Sequence, residues 1–361
     1  MKIKEDGRYV MFCYDQIRSD FNISMVRECR GIIFRTDNWQ WPVCWAFNKF
    51  GNYGESYVPE IDWQTSYVTE KIDGSLIKVW WDGSWHISTN GTIDAAKAET
   101  GHINVPNFRE YFEMALKRYV LIHTYRDVWT EFTSSLSEAH TYMFELVGPY
   151  NRVVVPYDVP MIYFLGARNN ETGEEFNSNA PIAGALGVGR FNRPTCYSLT
   201  SLDACLKAAE LKDWDDEGFV VVDAQHNRVK IKSPAYVMAH YARNNNTVNR
   251  KHLIKIIKQN EVEEFLCYAS DYEEALRETQ KLMNAYYNLG NQYAQICRKL
   301  ILLPRKQYAE VVRTFPKVFQ DLLFKNYDRF VSAQEYTNDW SEVKWDEYLV
   351  EVEALLNSFT E

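Results

Sequence analysis

The sequence lacks any long apolar run. No stretch approaches the roughly 18 consecutive apolar residues that a membrane span needs. The first ten residues, MKIKEDGRYV, also lack the apolar core of a secretory signal. We therefore expect no membrane partner and a cytoplasmic location.

Cysteine and histidine occur without the spacings that mark disulfide or metal frameworks. The seven cysteines are scattered with no CxxC motif, and the seven histidines include no HxH or HxxxH pair. This pattern favours free thiols in a reducing compartment and argues against a metal site built on these side chains.

Acidic residues outnumber basic ones overall, but basic residues are concentrated in one region. The net charge of −9 argues against a surface coated with phosphate-binding cations. Residues 224–260 nevertheless contain no Asp or Glu and eight basic residues: Arg228, Lys230, Lys232, Arg243, Arg250, Lys251, Lys255 and Lys258. This stretch is either a solvated helix face or a phosphate-contacting surface.

Residues 8–235 show the pattern of a strand-rich domain. Short runs of Val, Ile, Tyr, Phe and Trp recur between turns, and Asp82-Gly83 between two such runs predicts a hairpin. Helical patterns interrupt the strands at about 105–121 and 201–212. The mixture predicts an α+β fold with largely antiparallel sheets.

The C-terminal third has a different pattern. After the polar connector RNNNTVNR the chain is predicted to be helical at 248–259, at 271–300 and from Ser341 to about 358. We therefore divide the chain into a mixed domain over residues 1–240 and an all-α domain over residues 241–361.

One lysine stands between a turn and a predicted strand. The stretch EKIDGS places Lys71 two residues before Asp73-Gly74, and the apolar run LIKVWW follows at once. The amine is either a solvent-exposed charge or a nucleophile. A Lys-x-Asp-Gly match also occurs by chance, so the surrounding residues have to decide.

Further charged residues stand at the ends of predicted strands. Lys230 and Lys232 in VKIKS share a strand face, because side chains alternate with a period of two. The others are Glu145 in YMFELVG, Glu217 in EGFVVVD, Arg30 in ECRGIIF and Lys49 in AFNKFGNYGE. Four cations and two carboxylates could together handle a nucleoside triphosphate and a metal ion.

The chemistry assigns a role to each group. Nearby cations such as Lys230 and Lys232 would lower the pKa of the Lys71 amine and neutralise an α-phosphate. Glu217 is the first choice for holding Mg²⁺, which prefers carboxylate oxygens. Arg30 and Lys49 could clamp the triphosphate tail or an incoming terminal phosphate.

These segments resemble the nucleotidyltransferase motifs of the covalent lysyl-AMP ligases. The matching segments, in order over about residues 8–240, are KIDGS, FELVGPYNRVVV, IYFLGARNNETGE, EGFVVV and VKIKS. ECRGIIF and FNKFGNYGE narrow the resemblance to the RNA ligase 1 family of T-even bacteriophages. DNA ligases and capping enzymes share the core motifs but lack these two segments.

The resemblance implies an antiparallel-sheet adenylyltransferase domain and an ATP-dependent RNA ligase. Lys71 would attack the α-phosphate of ATP, giving lysyl-AMP and pyrophosphate, with Mg²⁺ or Mn²⁺ as cofactor. AMP would then pass to the 5′-phosphate of an RNA end, and a 3′-hydroxyl would displace it. The location would be the host cytoplasm if a phage encodes the chain.

The resemblance also implies particular site residues. Glu145 resembles a ribose-contacting glutamate, and Glu217 a metal-site glutamate that Asp73 could assist. Lys230 and Lys232 resemble the pair that contacts the α-phosphate. The remaining nucleotide-binding candidates are Arg30, Lys49, Phe50, Glu70, Gly74 and Gly218, whose glycines would let the backbone approach the nucleotide.

One position departs from the family pattern. The family commonly has a basic residue before the glycine that follows the 82–83 hairpin, whereas this chain has Asn90 before Gly91. Asn can donate a hydrogen bond but carries no charge. The departure concerns how the loop holds phosphate and leaves the lysyl-AMP chemistry unaffected.

The helical domain is expected to recognise the RNA. Candidate contacts are Arg243, Arg250, Lys251 and Lys255, and the resemblance suggests a nicked tRNA as substrate and an end-healing kinase-phosphatase as partner. Two alternatives stay open. One is a related nucleotidyltransferase acting on DNA ends or another acceptor, and the other is a non-catalytic RNA-binding relic, which the retained Lys71 disfavours.

Overall fold

The contacts of the chain form two compact units. The computed structural model describes residues 1–16, 18–119, 127–179, 187–242 and 248–333. The first unit comprises Met1–Asn246 with Glu263–Ala269, and the second comprises Thr247–Val262 with Ser270–Glu361. Among the described residues, no helix combines the length and apolar character needed to cross a bilayer.

The first unit is built on β-sheets. A three-stranded sheet has the order β1 (Lys2–Asp6), β2 (Tyr9–Cys13) and β3 (Arg30–Arg35). A sheet named here the β14 sheet has the order β13 (Cys196–Tyr197), β5 (Tyr67–Glu70), β14 (Gly218–Val222), β15 (Arg228–Lys232) and β4 (Gly51–Asn52). A sheet named here the β6 sheet has the order β12 (Glu175–Asn177), β11 (Met161–Asn169), β10 (His140–Val147), β6 (Ser75–Trp81) and β7 (Trp85–Thr89).

The strand pairing is almost entirely antiparallel, as the sequence predicts. Only β15 and β4 pair in parallel among these strands, and β8 (Glu99–His102) with β9 (Val105–Asn107) forms a further antiparallel pair. The predicted hairpin joins β6 to β7, and Gly83 there has a φ of +73°, which glycine adopts without strain.

Helices cover the sheets of the first unit. They are α1 (Ser24–Glu28), α2 (Phe108–Leu116), α3 (Val128–Thr133), α4 (Leu202–Glu210), α5 (Pro234–Ala242) and α7 (Val262–Tyr268). Phe112 of α2 and Phe132 of α3 pack edge-on against Phe144 of the β6 sheet, with ring centroids 5.6 and 6.0 Å away. All three rings are fully buried, and each such burial contributes about 2 kcal/mol.

The helix predicted at 105–121 is shorter in the structure. Asn107 accepts a hydrogen bond from the Glu110 backbone N–H at 3.0 Å, so it caps α2, and the preceding residues form β9 instead. The helix predicted at 201–212 is α4, which begins after the Ser201 cap.

The second unit is helical where it is described. Its helices are α6 (Arg250–Lys258), α8 (Glu273–Lys299), α9 (Arg305–Val312) and α10 (Lys317–Ala333). Tyr286 of α8 stacks on Phe319 of α10 at 4.9 Å, and Tyr293 stacks on Phe315 at 4.5 Å. The helix predicted from Ser341 lies outside the described residues.

Candidate active site

Lys71 lies on the segment that joins the two five-stranded sheets. It directly follows β5 of the β14 sheet, and β6 of the other sheet begins four residues later at Ser75. Its backbone N–H donates to the carbonyl oxygen of Gly218 at 2.8 Å, which fixes the start of this segment on β14. A Cβ at Gly74 would come within 2.5 Å of the Leu146 carbonyl oxygen, so glycine is required for the segment to pass β10.

The Lys71 amine faces a buried carboxylate. Its Nζ lies 2.7 Å from Oε2 of Glu217, which is only 4% exposed. The Nζ of Lys232 lies 3.7 Å from the other oxygen, Oε1. Glu217 therefore interacts with two lysines and holds both ammonium groups within one small volume.

The two lysines of β15 have opposite electrostatic environments. Burial, and then repulsion from Lys49 and Lys232, lowers the pKa of Lys230 well below its usual range. Burial by itself would lower the pKa of Lys232. Attraction to Glu264 and Glu217 is together the larger effect, so the pKa is raised. Among the described residues, Lys230 forms no ion pair, whereas Lys232 is paired with Glu217 and Glu264.

A cavity of about 480 Å³ opens beside Lys71. The sequence-predicted residues that line it are Arg30, Phe50, Glu70, Lys71, Gly74, Glu145 and Lys230. Asn90, Gly91 and Arg228 line it as well. The volume falls in the range of small-molecule sites and suits a nucleotide.

Glu145 projects into this cavity from β10. Burial raises its pKa to about 7, although the nearby Lys71 opposes that rise. A carboxyl group with a pKa near 7 accepts a hydrogen bond when it is ionised and can donate one when it is protonated. Both forms suit contact with a hydroxyl group of a ligand.

Arg30 and Lys230 flank the Phe50 ring. The Arg30 guanidinium lies 5.3 Å and the Lys230 Nζ 5.2 Å from its centroid, and Arg30 also lies 4.7 Å from the Phe47 ring. The Nε of Arg30 is buried without a hydrogen-bond partner among the described residues. Such a group favours an anionic ligand, which would supply the missing acceptor.

Lys49 lies in an aromatic enclosure beside the main cavity. Its Nζ is 4.7 Å from the Phe21 ring and 5.3 Å from the Tyr14 ring, and the residue is 8% exposed. Burial lowers its pKa, although Glu55 opposes the change. Lys49 lines a smaller cavity of about 110 Å³, and Phe50 lines both cavities.

Asp73 is committed to other partners. One of its oxygens accepts hydrogen bonds from the backbone N–H groups of Val154 and Val155 at 2.9 and 2.8 Å, and the other accepts from the Tyr236 hydroxyl at 2.9 Å. Because both oxygens already accept hydrogen bonds from the protein, Asp73 is a weaker candidate for a metal ligand than Glu217, and its role at a metal stays a prediction. Asp73 secures the segment that carries Lys71.

A cation from elsewhere in the chain contacts the loop that departs from the family pattern. The Nζ of Lys4 on β1 donates to the carbonyl oxygen of Gly91, next to Asn90. Arg228 of β15 lines the cavity and forms an ion pair with Glu175. The basic stretch contained Arg228, but no local motif distinguished it from its neighbours.

Glu264 is a residue that the sequence analysis missed. It lies on α7 and forms an ion pair with Lys232. No motif in the sequence marks it, because the segment 263–269 comes after residues of the second unit and only the fold returns it to the first unit.

The candidate RNA-binding residues that the structure describes lie on a helix of the second unit. Arg250, Lys251 and Lys255 are exposed on α6, whereas Leu253 and Ile256 are buried. Arg250 forms an ion pair with Glu278 at 3.7 Å. Arg243 lies outside the described residues.

Comparison with known proteins identifies the family. Residues 28–236, more than half of the chain, match the sequence model described as RNA ligase, of the phage T4 RNA ligase 1 type. The chain belongs to this RNA ligase family. The match includes Lys71, both lysines of β15 and the two carboxylates Glu145 and Glu217.

Relatives of this family member occur in viruses. The chain is 30% identical over 319 residues to a protein of Autographa californica nuclear polyhedrosis virus that carries the name bifunctional polynucleotide kinase/RNA ligase. That alignment covers 84% of this chain but only 43% of the viral protein, so this chain spans less than half the length of that relative. The chain is also 26% identical over 349 residues to an RNA ligase of Rhodothermus phage RM378, covering 80% of this chain and 75% of the phage protein.

One solved structure is similar to this RNA ligase family member at a lower sequence identity than these two relatives. It is named as an ATP-dependent DNA ligase from Aquifex aeolicus and has a TM-score of 0.48 with 14% sequence identity. The similarity covers 93% of this chain and 78% of that chain.

Proposed function

We propose that this chain is an ATP-dependent RNA ligase. It joins a 5′-phosphate RNA end to a 3′-hydroxyl end through a lysyl-AMP and an RNA-adenylate intermediate. The observation that carries the proposal is the position of the Lys71 amine, 2.7 Å from buried Glu217 and at the wall of a cavity of nucleotide size.

In the first step the Lys71 Nζ attacks the α-phosphorus of ATP. A phosphorus–nitrogen bond forms, the bond to the bridging oxygen breaks, and pyrophosphate leaves with the electron pair. Nζ has to release a proton to attack, and Glu217 Oε2 is the acceptor with which it already shares a hydrogen bond. The same contact holds the amine at the cavity wall.

Cations of the site stabilise the phosphates. Lys230 forms no ion pair with a carboxylate of the described residues, so the negative charge of the α-phosphate supplies a partner for its half-buried amine. Arg30 offers a buried N–H without an acceptor to the same ligand or to an RNA 5′-phosphate. Phe50, which contacts both cations, keeps them in place and excludes water.

The carboxylates fit a divalent cation that is shared with the substrate. No group of three or more His, Cys, Asp or Glu side chains in the described ranges could hold a metal ion by itself. Mg²⁺ commonly uses one or two carboxylates and completes its shell with water and substrate phosphates, and Glu217 offers such an oxygen donor. Mg²⁺ or Mn²⁺ bound there supplies charge neutralisation for the leaving pyrophosphate.

The second and third steps reuse the site. The 5′-phosphate oxygen of RNA attacks the phosphorus of lysyl-AMP and frees the Lys71 amine, which regains a proton. A 3′-hydroxyl then attacks the RNA 5′-phosphorus, and AMP leaves. We assign adenylyl transfer to residues 1–240 and RNA recognition to residues 241–361, with Arg250, Lys251 and Lys255 as candidate contacts.

Membership of the RNA ligase family supports RNA as the acceptor. The viral relative's name combines a polynucleotide kinase with an RNA ligase, which supports the kinase part of the proposed end-healing kinase-phosphatase partner. The cytoplasm is the proposed location. A nicked tRNA is the proposed natural substrate. The runner-up is transfer of AMP to DNA ends.

A labelling experiment tests the proposal. The protein is incubated with α-labelled ATP and Mg²⁺ and then denatured, and acid-labile label is expected on the polypeptide. Lys71→Ala should abolish it, whereas Lys97→Ala, which removes an exposed lysine paired with Asp6, should retain it. RNA with a 5′-phosphate should discharge the label, and 5′-hydroxyl RNA should not. Equal discharge by 5′-phosphorylated DNA would favour the runner-up, and label on Lys71→Ala would contradict the proposal.

A further inference from the structure

The helix α7 belongs to the first unit and is fixed to β15. The backbone N–H of Lys232 donates to the Tyr268 hydroxyl at 2.8 Å. Phe265 is fully buried and lies edge-on to the Tyr241 ring, with centroids 5.2 Å apart. These contacts set the helix beside the strand that carries Lys230 and Lys232.

The fixed helix directs one carboxylate into the lysine cluster. Glu264 Oε1 forms an ion pair with the Lys232 Nζ, and the two side chains are only 13% and 15% exposed. Burial raises the pKa of Glu264, but attraction to Lys232, Lys230 and Lys49 outweighs it, and the pKa is lowered. Glu264 is therefore an anion held among three cations.

The sequence analysis assigns those three cations to phosphates, Lys230 and Lys232 to the α-phosphate and Lys49 to the triphosphate tail or an incoming terminal phosphate. A carboxylate and a phosphate present the same kind of oxygen acceptor to an ammonium group, so both ligands satisfy the same lysines. Lys232 already faces Glu217 at 3.7 Å, and its pairing with Glu264 leaves it less able to attract a third anion. A phosphate that binds Lys232 has to compete with Glu264.

We propose that Glu264 is an internal competitor of the ATP phosphates, which occupies Lys232 before the nucleotide binds and is displaced by it. This inference rests on the proposed function, because it concerns the same site. Glu264 would then lower the affinity for ATP and speed the release of pyrophosphate. It does not take part in bond formation.

A purely structural role for Glu264 predicts a different result. If the carboxylate only holds Lys232 in its reactive position, its removal should slow the chemical step. If it competes with phosphate, its removal should tighten ATP binding and leave that step unchanged. The separation of KM from kcat for lysyl-AMP formation therefore distinguishes the two roles.

The test compares Glu264→Gln with Glu263→Gln. Glu263 is exposed on the same helix and forms no ion pair within the part of the chain that the structure describes, so it controls for the loss of one negative charge near the site. Glu264→Gln is expected to lower the KM for ATP about tenfold, the factor that loss of one charge-assisted hydrogen bond to a competitor would give. Its kcat should stay within twofold of wild type, and Glu263→Gln should match wild type.

Inhibition by inorganic pyrophosphate gives an independent readout. Glu264→Gln should be inhibited at about tenfold lower pyrophosphate, because the same lysines bind it. A KM for ATP that is unchanged or raised in Glu264→Gln would overturn the inference. Wild-type protein that forms no lysyl-AMP would instead overturn the proposed function, so the two failures are distinct.

Hydrogen exchange of the wild-type chain covers the case in which Glu264→Gln does not fold. Addition of an ATP analogue with a non-cleavable α,β-bridge should speed amide exchange in residues 262–269, since the ion pair that helps to hold α7 is displaced. Slower exchange in that segment would contradict displacement.

Discussion

The Nζ of Lys71 lies 2.7 Å from Oε2 of Glu217, although 146 positions separate the two residues in the chain. The pairing of two strands explains this proximity. Lys71 directly follows β5, Glu217 directly precedes β14, and these strands pair antiparallel with Glu70 opposite Phe219. The end of one strand therefore coincides with the start of the other, and the nucleophile meets its carboxylate there.

Removal of that carboxylate should disable the first step. Glu217→Gln keeps the shape and can still accept a hydrogen bond from Lys71, but it loses the charge that faces two lysines. We expect the rate of lysyl-AMP formation to fall about a hundredfold or more, as when one electrostatic stabiliser is lost from an active site. Single-turnover labelling measures the rate.

The control for this change is Asp203→Asn. It breaks an ion pair with Lys207 in which both side chains are more than 70% exposed, so labelling should be unchanged. If the Glu217→Gln protein labels as fast as this control, Glu217 has no role in lysyl-AMP formation.

Two glycine substitutions should separate stability from activity. Gly74→Ala would bring a Cβ within 2.5 Å of the Leu146 carbonyl oxygen and 2.7 Å of Val147 Cγ1, so the segment carrying Lys71 has to move. A shift of about 1 Å can cost about a hundredfold in rate, and we expect a loss of that order in labelling.

The matched change in the hairpin is Gly83→Ala. A Cβ there meets nothing within 4 Å, but the φ of +73° is unfavourable for alanine. We expect this variant to lose about 1 kcal/mol in the free energy of unfolding and to label like wild type. Urea unfolding and labelling on both variants provide the check, and equal labelling by the two would contradict the role given to Gly74.

The sequence predicted the site residues that stand in local motifs better than the residue that only the fold brings to the site. Lys71, Glu145 and Lys230 stand in local motifs, and the structure brings all three to one cavity. Period-two alternation was sufficient to give Lys230 and Lys232 a common face. Their different charge environments depend on Glu264, which no local pattern connects to β15.

The hydrogen-bond partners of a side chain are a further feature that the local sequence does not show. Asp73 stands in the motif and carries a carboxylate, so its residue type alone was compatible with a metal ligand. Its two oxygens are engaged by the backbone of Val154 and Val155 and by Tyr236, which lie 81, 82 and 163 positions away. Similarly, the helix begins at Phe108 and not at residue 105, because the side chain of Asn107 caps the N-terminus of α2.

The raised pKa of Glu145 should appear in the pH dependence of stability. Burial raises this pKa to about 7 from an unfolded value of 4.5. Between these two pH values the folded state binds more protons than the unfolded state. The stability that protonated Glu145 contributes is therefore complete below about pH 4.5 and is lost as the pH rises through about 7. The difference between the two pKa values corresponds to about 3 kcal/mol.

Glu145→Gln provides the measurement for this dependence. The amide does not ionise, so the variant should gain stability relative to wild type as the pH rises from about 5 to about 8. Urea unfolding of both proteins across this range gives the difference. A difference that is constant with pH would show that Glu145 ionises equally in the folded and unfolded states.

The hydrogen bonds of Asp73 should appear in stability and not in metal dependence. Tyr236→Phe removes the hydroxyl that donates to Asp73 at 2.9 Å and leaves the two backbone donors in place. We expect the free energy of unfolding to fall by about 2 kcal/mol, typical of a hydrogen bond to a charged group. The Mg²⁺ concentration for half-maximal labelling should stay that of wild type, and a tenfold increase would mean that Asp73 acts through the metal.

Lys230 should show opposite effects on stability and on function. It is a half-buried amine whose pKa is well lowered, by burial first and then by Lys49 and Lys232, although Glu264 opposes the change, and it forms no ion pair among the described residues. Lys230→Met keeps a long flexible side chain against the Phe50 ring and removes the charge. The free energy of unfolding at neutral pH should rise by about 1 kcal/mol or more, since the lowered pKa means that folding disfavours the protonated amine, and this cost disappears with the amine.

The same variant should bind and use ATP poorly, because the charge that destabilises the fold is the one that the α-phosphate would neutralise. We expect lysyl-AMP formation to fall about a hundredfold. Because the folded-state pKa is lowered, wild type should lose stability relative to Lys230→Met as the pH falls through that pKa, where the buried amine gains its proton. Urea unfolding at several pH values, together with labelling, tests both effects. A variant that is less stable than wild type and still labels normally would mean that Lys230 supports the strand and not the phosphate.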